Sequence, residues 1–302
     1  MKDEYVVLNN IQTHIITWGN PYHCNGQDVI VCISGNPGIT DYYTEFASRL
    51  HQNTGLSVCV IGQAGHEIVP DNTSNVLRSQ EHLFNLEGQI LHKLELINNY
   101  IDSRSQLHLI GHSIGAWLIL ELLKDNAKLG DRVSSVNLLF PTLQRMADTV
   151  NGRYLNNVLR KCHAIVLLLL HLLSFLPAMI LNFFIGIYLR LLSLPSCYLE
   201  RTKKFLNPVI IEKVLFLAYN EMDNVKKLNI EVLDTIKHLT NVIYSDSDGW
   251  APLEFMDDLK ILQPHLQLQQ LDVEHAFVLK SSETIADLAS EFIKTRMKLN
   301  KY

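Results

Sequence analysis

Gly111-His112-Ser113-Ile114-Gly115 sets a serine between two glycines, with the apolar run Leu107 to Ile110 before it and Ala116 to Leu120 after it. That is the pattern of a nucleophile on a sharp strand-to-helix turn. Glycines two before and two after let the backbone double back, and the hydroxyl stands out at the carboxyl edge of a sheet, near the positive end of the next helix. An ordinary turn with a serine cap uses the same residues, so the chemistry rests on partners. A serine hydroxyl needs a base within hydrogen-bond reach and a carboxylate that orients the base. In the chain order serine, acid, histidine, the base falls on His275, in LDVEHAFVL, after a strand-like run and before the last helical pattern. His238 and His265 lie upstream of their strands, and His163 and His171 lie in an apolar segment. For the acid, the turn SDSDGWAP supplies Asp246 and Asp248. Asp248 is preferred because it lies deeper in the turn, ahead of Pro252, which can open the next helix; the other aspartate is then a turn residue bonding its own backbone.

Acyl transfer through a serine also needs donors for the oxyanion. The amide of Ile114, the residue after the nucleophile, is one. The second is expected from Ser34-Gly35-Asn36-Pro37-Gly38: Pro37 has no N–H, so the amide of Asn36 is the candidate, with Gly35 allowing close backbone approach. The same residues also suit a tight turn, and both readings can hold. His66, in GQAGHE, follows too early a strand to be the base and reads as structural.

These residues need a sheet to hold them. VIVCIS (Val29 to Ser34), SVCVIG (Ser57 to Gly62), LHLIG (Leu107 to Gly111) and VSSVNLLFP (Val133 to Pro141) are short apolar runs separated by helical patterns, among them TDYYTEFASRL and SQEHLFNLEGQILHKLELINNYI. Such alternation predicts a doubly wound, mostly parallel sheet covered on both faces. The pattern stops near Asp148 and resumes near His238, with strands before the acid turn and before His275 and a terminal helix in SSETIADLASEFIKTRMK. Residues 1–147 and 238–302 therefore read as two parts of one α/β core, and residues 148–237 as a helical insert.

The 302 residues carry 26 Lys+Arg against 31 Asp+Glu, a net charge of −5, which leaves no electrostatic footprint for nucleic acid. MKDEYVVLNN has no apolar signal core, so a cytosolic start is expected. Cys24, Cys32, Cys59, Cys162 and Cys197 are widely spaced and read as reduced thiols; nothing in the spacing suggests zinc, and no metal or cofactor is implied.

No Lys, Arg, Asp or Glu occurs between Lys161 and Arg190. The run AIVLLLLHLLSFL, then Pro177, then AMILNFFIGIYL lacks the polar face of a surface helix. Proline divides it into two pieces of about 13 residues, each about 20 Å long, too short to cross a hydrocarbon core of about 30 Å. A single crossing would also part Ser113 from Asp248 and His275. Arg153, Arg160 and Lys161 precede the run and Arg190, Arg201, Lys203 and Lys204 follow it, which puts both ends on the cytosolic side. A re-entrant hairpin (about 162–197) kinked at Pro177, suited to a phospholipid monolayer over neutral lipid, meets every constraint. A soluble lid folded over the active site is the alternative, and such a lid should keep one polar face, where the first helix has only His171 and Ser174.

Taken together, SGNPG, GHSIGAW, DGWAP, EHAF and the leucine-rich insert resemble the lipid droplet-associated hydrolase family, from about Val29 to Lys298. The resemblance implies an α/β-hydrolase fold and a monotopic serine hydrolase of lipid droplets and the cytosolic face of the endoplasmic reticulum, linked to sterol ester or triacylglycerol turnover. Matched residue by residue, the nucleophile falls on Ser113, the acid on Asp248 and the base on His275. Many α/β hydrolases have glycine before the base, where this chain has Glu274. The expected partners are a neutral lipid ester as substrate and, through the insert, a droplet monolayer or reticulum membrane. The competing reading keeps the fold but makes the protein a droplet scaffold with little or no catalysis.

Overall fold

Continuous apolar runs make the central strands, as strands buried on both faces must be. The computed structural model describes residues 1–70, 75–124 and 126–299. In chain order the elements are β1 (Lys2–Leu8), β2 (Ile11–Trp18), β3 (Val29–Ile33), α1 (Thr44–Thr54), β4 (Ser57–Ile61), α2 (Leu86–Asn99), β5 (Leu107–His112), α3 (Ile114–Lys124), α4 (Ala127–Gly130) and β6 (Val133–Leu139). Six helices follow: α5 (Val150–Tyr154), α6 (His163–Ser174), α7 (Ala178–Leu191), α8 (Tyr198–Phe205), α9 (Pro208–Asn224) and α10 (Ile230–Ile236). The chain ends with β7 (Thr240–Tyr244), α11 (Leu253–Lys260), β8 (Gln267–Gln270) and α12 (Ser282–Leu299).

The eight strands form one sheet in the order β1-β2-β4-β3-β5-β6-β7-β8. From β4 to β8 all neighbours are parallel, and helices cover both faces. Phe46, Ala47 and Leu50 of α1 pack with Ile285, Ala286 and Ala289 of α12 on one side. Leu96 and Ile97 of α2 pack with Leu118 and Leu122 of α3 on the other.

Two features differ from the sequence expectation. The first two strands, β1 and β2, form an antiparallel hairpin that joins the edge of β4. Its turn is Asn9-Asn10, both at positive φ (47° and 62°), the conformation that matches the twist of a two-residue hairpin and that asparagine tolerates. The stretch from Ser79 to Ile101 is not one helix: a 3₁₀ turn at Glu81–Leu83 precedes α2, whose first turn is capped by Asn85 Oδ1 accepting from Gly88 N–H at 2.8 Å. An asparagine side chain satisfies an amide that the helix itself leaves open, so the helix starts there.

Between β6 and β7, adjacent and parallel in the sheet, the chain makes only helices. The excursion leaves the sheet at the carboxyl edge, where α/β folds bind ligands, and returns to the amino end of β7. Turns at Arg160 to Cys162 and at Phe175 to Pro177 keep its apolar helices short. Among the described residues no single helix is long and apolar enough to cross a membrane; one pair, residues 150–159 with α6, passes on composition but is bent by 81°.

Candidate active site

Ser113 follows β5 with φ 54°, a left-handed conformation that a non-glycine residue holds only when its surroundings impose it. The two motif glycines are part of that imposition. A Cβ on Gly115 would lie 2.4 Å from Ile33 O, and one on Gly111 would lie 2.6 Å from Gly115 O, so any side chain would force β3, β5 and α3 apart. Ser113 N–H donates to Leu139 O (3.0 Å), which ties the turn to the next strand.

The structure brings together three of the residues singled out from the sequence. His275 Nε2 lies 2.9 Å from Ser113 Oγ, and His275 Nδ1 lies 2.6 Å from Asp248 Oδ2. A carboxylate only accepts, so Nδ1 carries the proton and Nε2 is left to accept from the serine hydroxyl. Asp248 sits in the loop after β7, its Oδ1 accepting from the amides of Trp250 (2.8 Å) and Ala251 (3.1 Å). Burial works against its charge, but the His275 hydrogen bond and charge and the two amides outweigh it, so the carboxyl is held below the usual range. Asp246 is exposed and meets Gln270 Nε2 at 3.4 Å, away from the histidine. Glu274 also points outward, 3.3 Å from Lys280 Nζ.

In the loop after β3 the amides are nearly all committed. Gly35 N–H donates to Tyr43 Oη (2.8 Å), Gly38 N–H donates to His66 Nδ1 (3.0 Å), and Pro37 has none. That leaves the Asn36 amide, while its side-chain Nδ2 donates to Val214 O (3.1 Å) and Glu221 Oε1 (2.9 Å). Ile114 is buried at the first position of α3. His66 is itself buried, and burial lowers it to about 3, which keeps the ring neutral and able to accept from Gly38.

Two residues escaped the sequence reading. His112, beside the nucleophile, accepts at Nδ1 from Tyr43 Oη (2.6 Å) and donates from Nε2 to His275 O (2.9 Å). Burial, with the neighbouring His275 charge, lowers His112 to about 3, so it stays neutral with one donor and one acceptor nitrogen. The result is a chain of bonds from Gly35 N–H through Tyr43 and His112 to the backbone of His275. Tyr43 had no local signal, because only the fold brings α1's approach segment under the nucleophile turn.

Beside His112 and His275 lies a cavity of about 640 Å³, lined by Gly35, Asn36 and Trp250 on the core side and by Leu181, Ile185 and Leu189 of α7 opposite. Its walls are overwhelmingly apolar. The outer face of the same helix is apolar too: Met179 is 81% exposed, Phe183 65% and Leu191 79%. On α6, beyond His163 at its start, two polar side chains turn back on their own helix, His171 Nδ1 donating to Leu167 O (2.8 Å) and Ser174 Oγ to His171 O (2.7 Å). The two alternatives read for the insert thus meet in one element: α7 roofs the site, yet it has no polar outer face. Of the flanking basic residues, Arg160 pairs with Asp223, Arg201 with Glu45, Lys203 with Glu200 and Lys204 with Asp41.

Three comparisons bear on identity. The chain is similar to a thermophilic esterase from Thermogutta terrifontis, with a TM-score of 0.64 and 13% identity over 98% of this chain and 99% of that one, a likeness of fold. It is 37% identical to the lipid droplet-associated hydrolase of Drosophila melanogaster, over 97% of this chain and 98% of that protein. It is 27% identical to the mouse lipid droplet-associated hydrolase, over 98% and 96%. The family profile described as lipid-droplet associated hydrolase matches residues 26–278, which takes in the serine turn, the whole helical excursion and the loops that carry Asp248 and His275. By family model and by relatives alike, this chain belongs to the lipid droplet-associated hydrolase family.

Proposed function

We propose that the protein is a serine hydrolase of neutral lipid esters, sterol esters or acylglycerols, working from the surface of lipid droplets and the cytosolic face of the endoplasmic reticulum. The observation that carries this reading is the bond series from Ser113 through His275 to Asp248, whose histidine lines an apolar cavity. In the reaction, His275 Nε2 takes the Ser113 proton as Oγ attacks the ester carbonyl. The amides of Asn36 and Ile114 receive the developing oxyanion. His275 then protonates the leaving alcohol, Asp248 stabilises the imidazolium, and water releases the acid from the acyl-enzyme by the same route.

The exposed apolar faces of α6 and α7 support lipid-surface docking, because burying one large apolar side chain is worth about 1.5–3 kcal/mol and several are exposed together. The droplet setting is also that of the named relatives. The scaffold reading is favoured by that apolar surface alone; the oriented histidine argues for chemistry.

Purified wild type and Ser113→Ala, assayed against a panel of sterol esters and acylglycerols presented as phospholipid-coated droplets, test the proposal. Wild type should release fatty acid and the variant should not. Equal release by the two would remove Ser113 from the chemistry, and no release by either would favour the scaffold.

A further inference from the structure

The insert reaches into the site from behind as well as roofing it. Two residues of α9, two turns apart and so on one face of the helix, take hold of a single side chain: the Val214 carbonyl and the Glu221 carboxyl both accept from Asn36 Nδ2, at 3.1 and 2.9 Å. The grip is next to the chemistry, because a Cβ on the preceding Gly35 would lie 3.1 Å from Ser113 Cβ. The same helix packs Ile210 and Val214 against Ile39 in the segment just beyond. Its other side carries Ile211 and Leu215, which pack on Leu170 of α6. One rigid element thus joins the apolar surface of the insert to the loop beside the nucleophile.

Glu221 is a costly residue for that place. It is 4% exposed, and among the described residues its side chain has one hydrogen-bond partner, Asn36, and no cation. A buried carboxyl without a cation costs stability that an apolar side chain would not. Burial pushes it up to about 8, against the Asn36 hydrogen bond, so it stays protonated at neutral pH and offers Asn36 a carbonyl oxygen.

We propose that Glu221 is a positioning residue for the hydrolysis: with the Val214 carbonyl it locks the Asn36 side chain, and so holds the Asn36 amide on the oxyanion of the Ser113 adduct. The proposal rests on the reading above in which that amide is an oxyanion donor. Glu221 touches no reacting atom. It acts through the torsions of Asn36, which a clamped side chain no longer samples.

The test uses the full chain and p-nitrophenyl butyrate, a soluble ester that needs no lipid surface. Glu221→Leu should lower kcat about 10- to 100-fold, less than the roughly 10²–10³-fold seen when one oxyanion donor is lost outright, and leave KM within about twofold. Glu221→Gln, which keeps a carbonyl facing Asn36 Nδ2, should retain at least about a third of wild-type kcat. Asn36→Ala, which keeps the backbone amide but removes the clamped group, should fall as Glu221→Leu does, and the double variant should be no worse than the weaker single.

Wild-type kcat in Glu221→Leu would overturn the proposal, as would losses that multiply in the double variant. A fall that Glu221→Gln shares, with a lower melting temperature, would make the residue structural only and would overturn it equally. Ser113→Ala run alongside separates the two claims: an inert Ser113→Ala beside an intact Glu221→Leu rejects the positioning role alone, whereas an active Ser113→Ala rejects the nucleophile.

Discussion

Tyr43 Oη lies 2.6 Å from His112 Nδ1, and through that bond the loop carrying Gly35 and the loop carrying His275 share one support. Tyr43→Phe keeps the ring, its edge contact with Phe277 included, but leaves the Gly35 amide and His112 Nδ1 without their partner. Each buried orphan costs about 1–3 kcal/mol. The expected outcome is a melting temperature several degrees lower and kcat on a soluble ester reduced about tenfold. Wild-type values for both would mean that the two loops hold without the relay.

The two aspartates of the acid turn should separate cleanly. Asp248→Asn replaces the acceptor facing His275 Nδ1 and favours the wrong tautomer, so kcat should fall by about 10³–10⁴. Asp246→Asn, on an exposed side chain, should change it less than about twofold. Reversal of the two results would move the acid to Asp246.

Phe175, Met179 and Phe183 are exposed and do not line the cavity. Replacing all three with serine should leave turnover of p-nitrophenyl butyrate within about twofold. Flotation with phospholipid-coated triolein droplets should recover at least tenfold less protein, since even one large apolar side chain withdrawn from lipid is worth more than a factor of ten. Undiminished flotation would move the anchor to another part of the chain.

Stability should carry the mark of Glu221. Its carboxyl ionises near the ordinary value in the unfolded chain and at about 8 in the folded one. Between those values the folded state binds the extra proton, so the stabilisation is complete below the unfolded value and is lost as pH rises through about 8. Glu221→Gln does not titrate. Its melting temperature relative to wild type should rise steadily from pH 5 to pH 8. Parallel curves would mean that Glu221 ionises normally in the fold.

The nucleophile turn was legible because its constraint is local: no residue but glycine fits at 111 or 115, and the neighbours that forbid a side chain are the turn and the adjacent strand. Asp248 and His275 were legible because each lies in the loop that follows a strand late in the chain, β7 and β8. The N-terminal hairpin is not legible, since KDEYVVL mixes charge with apolar residues and the telling signal is only the pair Asn9-Asn10. His112, Tyr43 and Glu221 leave no trace in any local pattern. Tyr43 meets a residue 69 positions away and Glu221 one 185 away, so their partners exist only once the sheet and α9 are assembled.

Helix α7 presents Ile185 and Leu189 to the cavity and Met179 and Leu191 to the outside. On that side a single helix, about 10 Å across, therefore separates the reaction chamber from whatever lies against it. Under the proposed function, with neutral lipid on the far side, an ester would reach Ser113 without dissolving in water, and aqueous solubility would drop out of the rate. Turnover then follows how densely the ester populates the coat of the droplet, so diluting that coat with inert phospholipid slows the enzyme even when the amount of ester in the tube is unchanged.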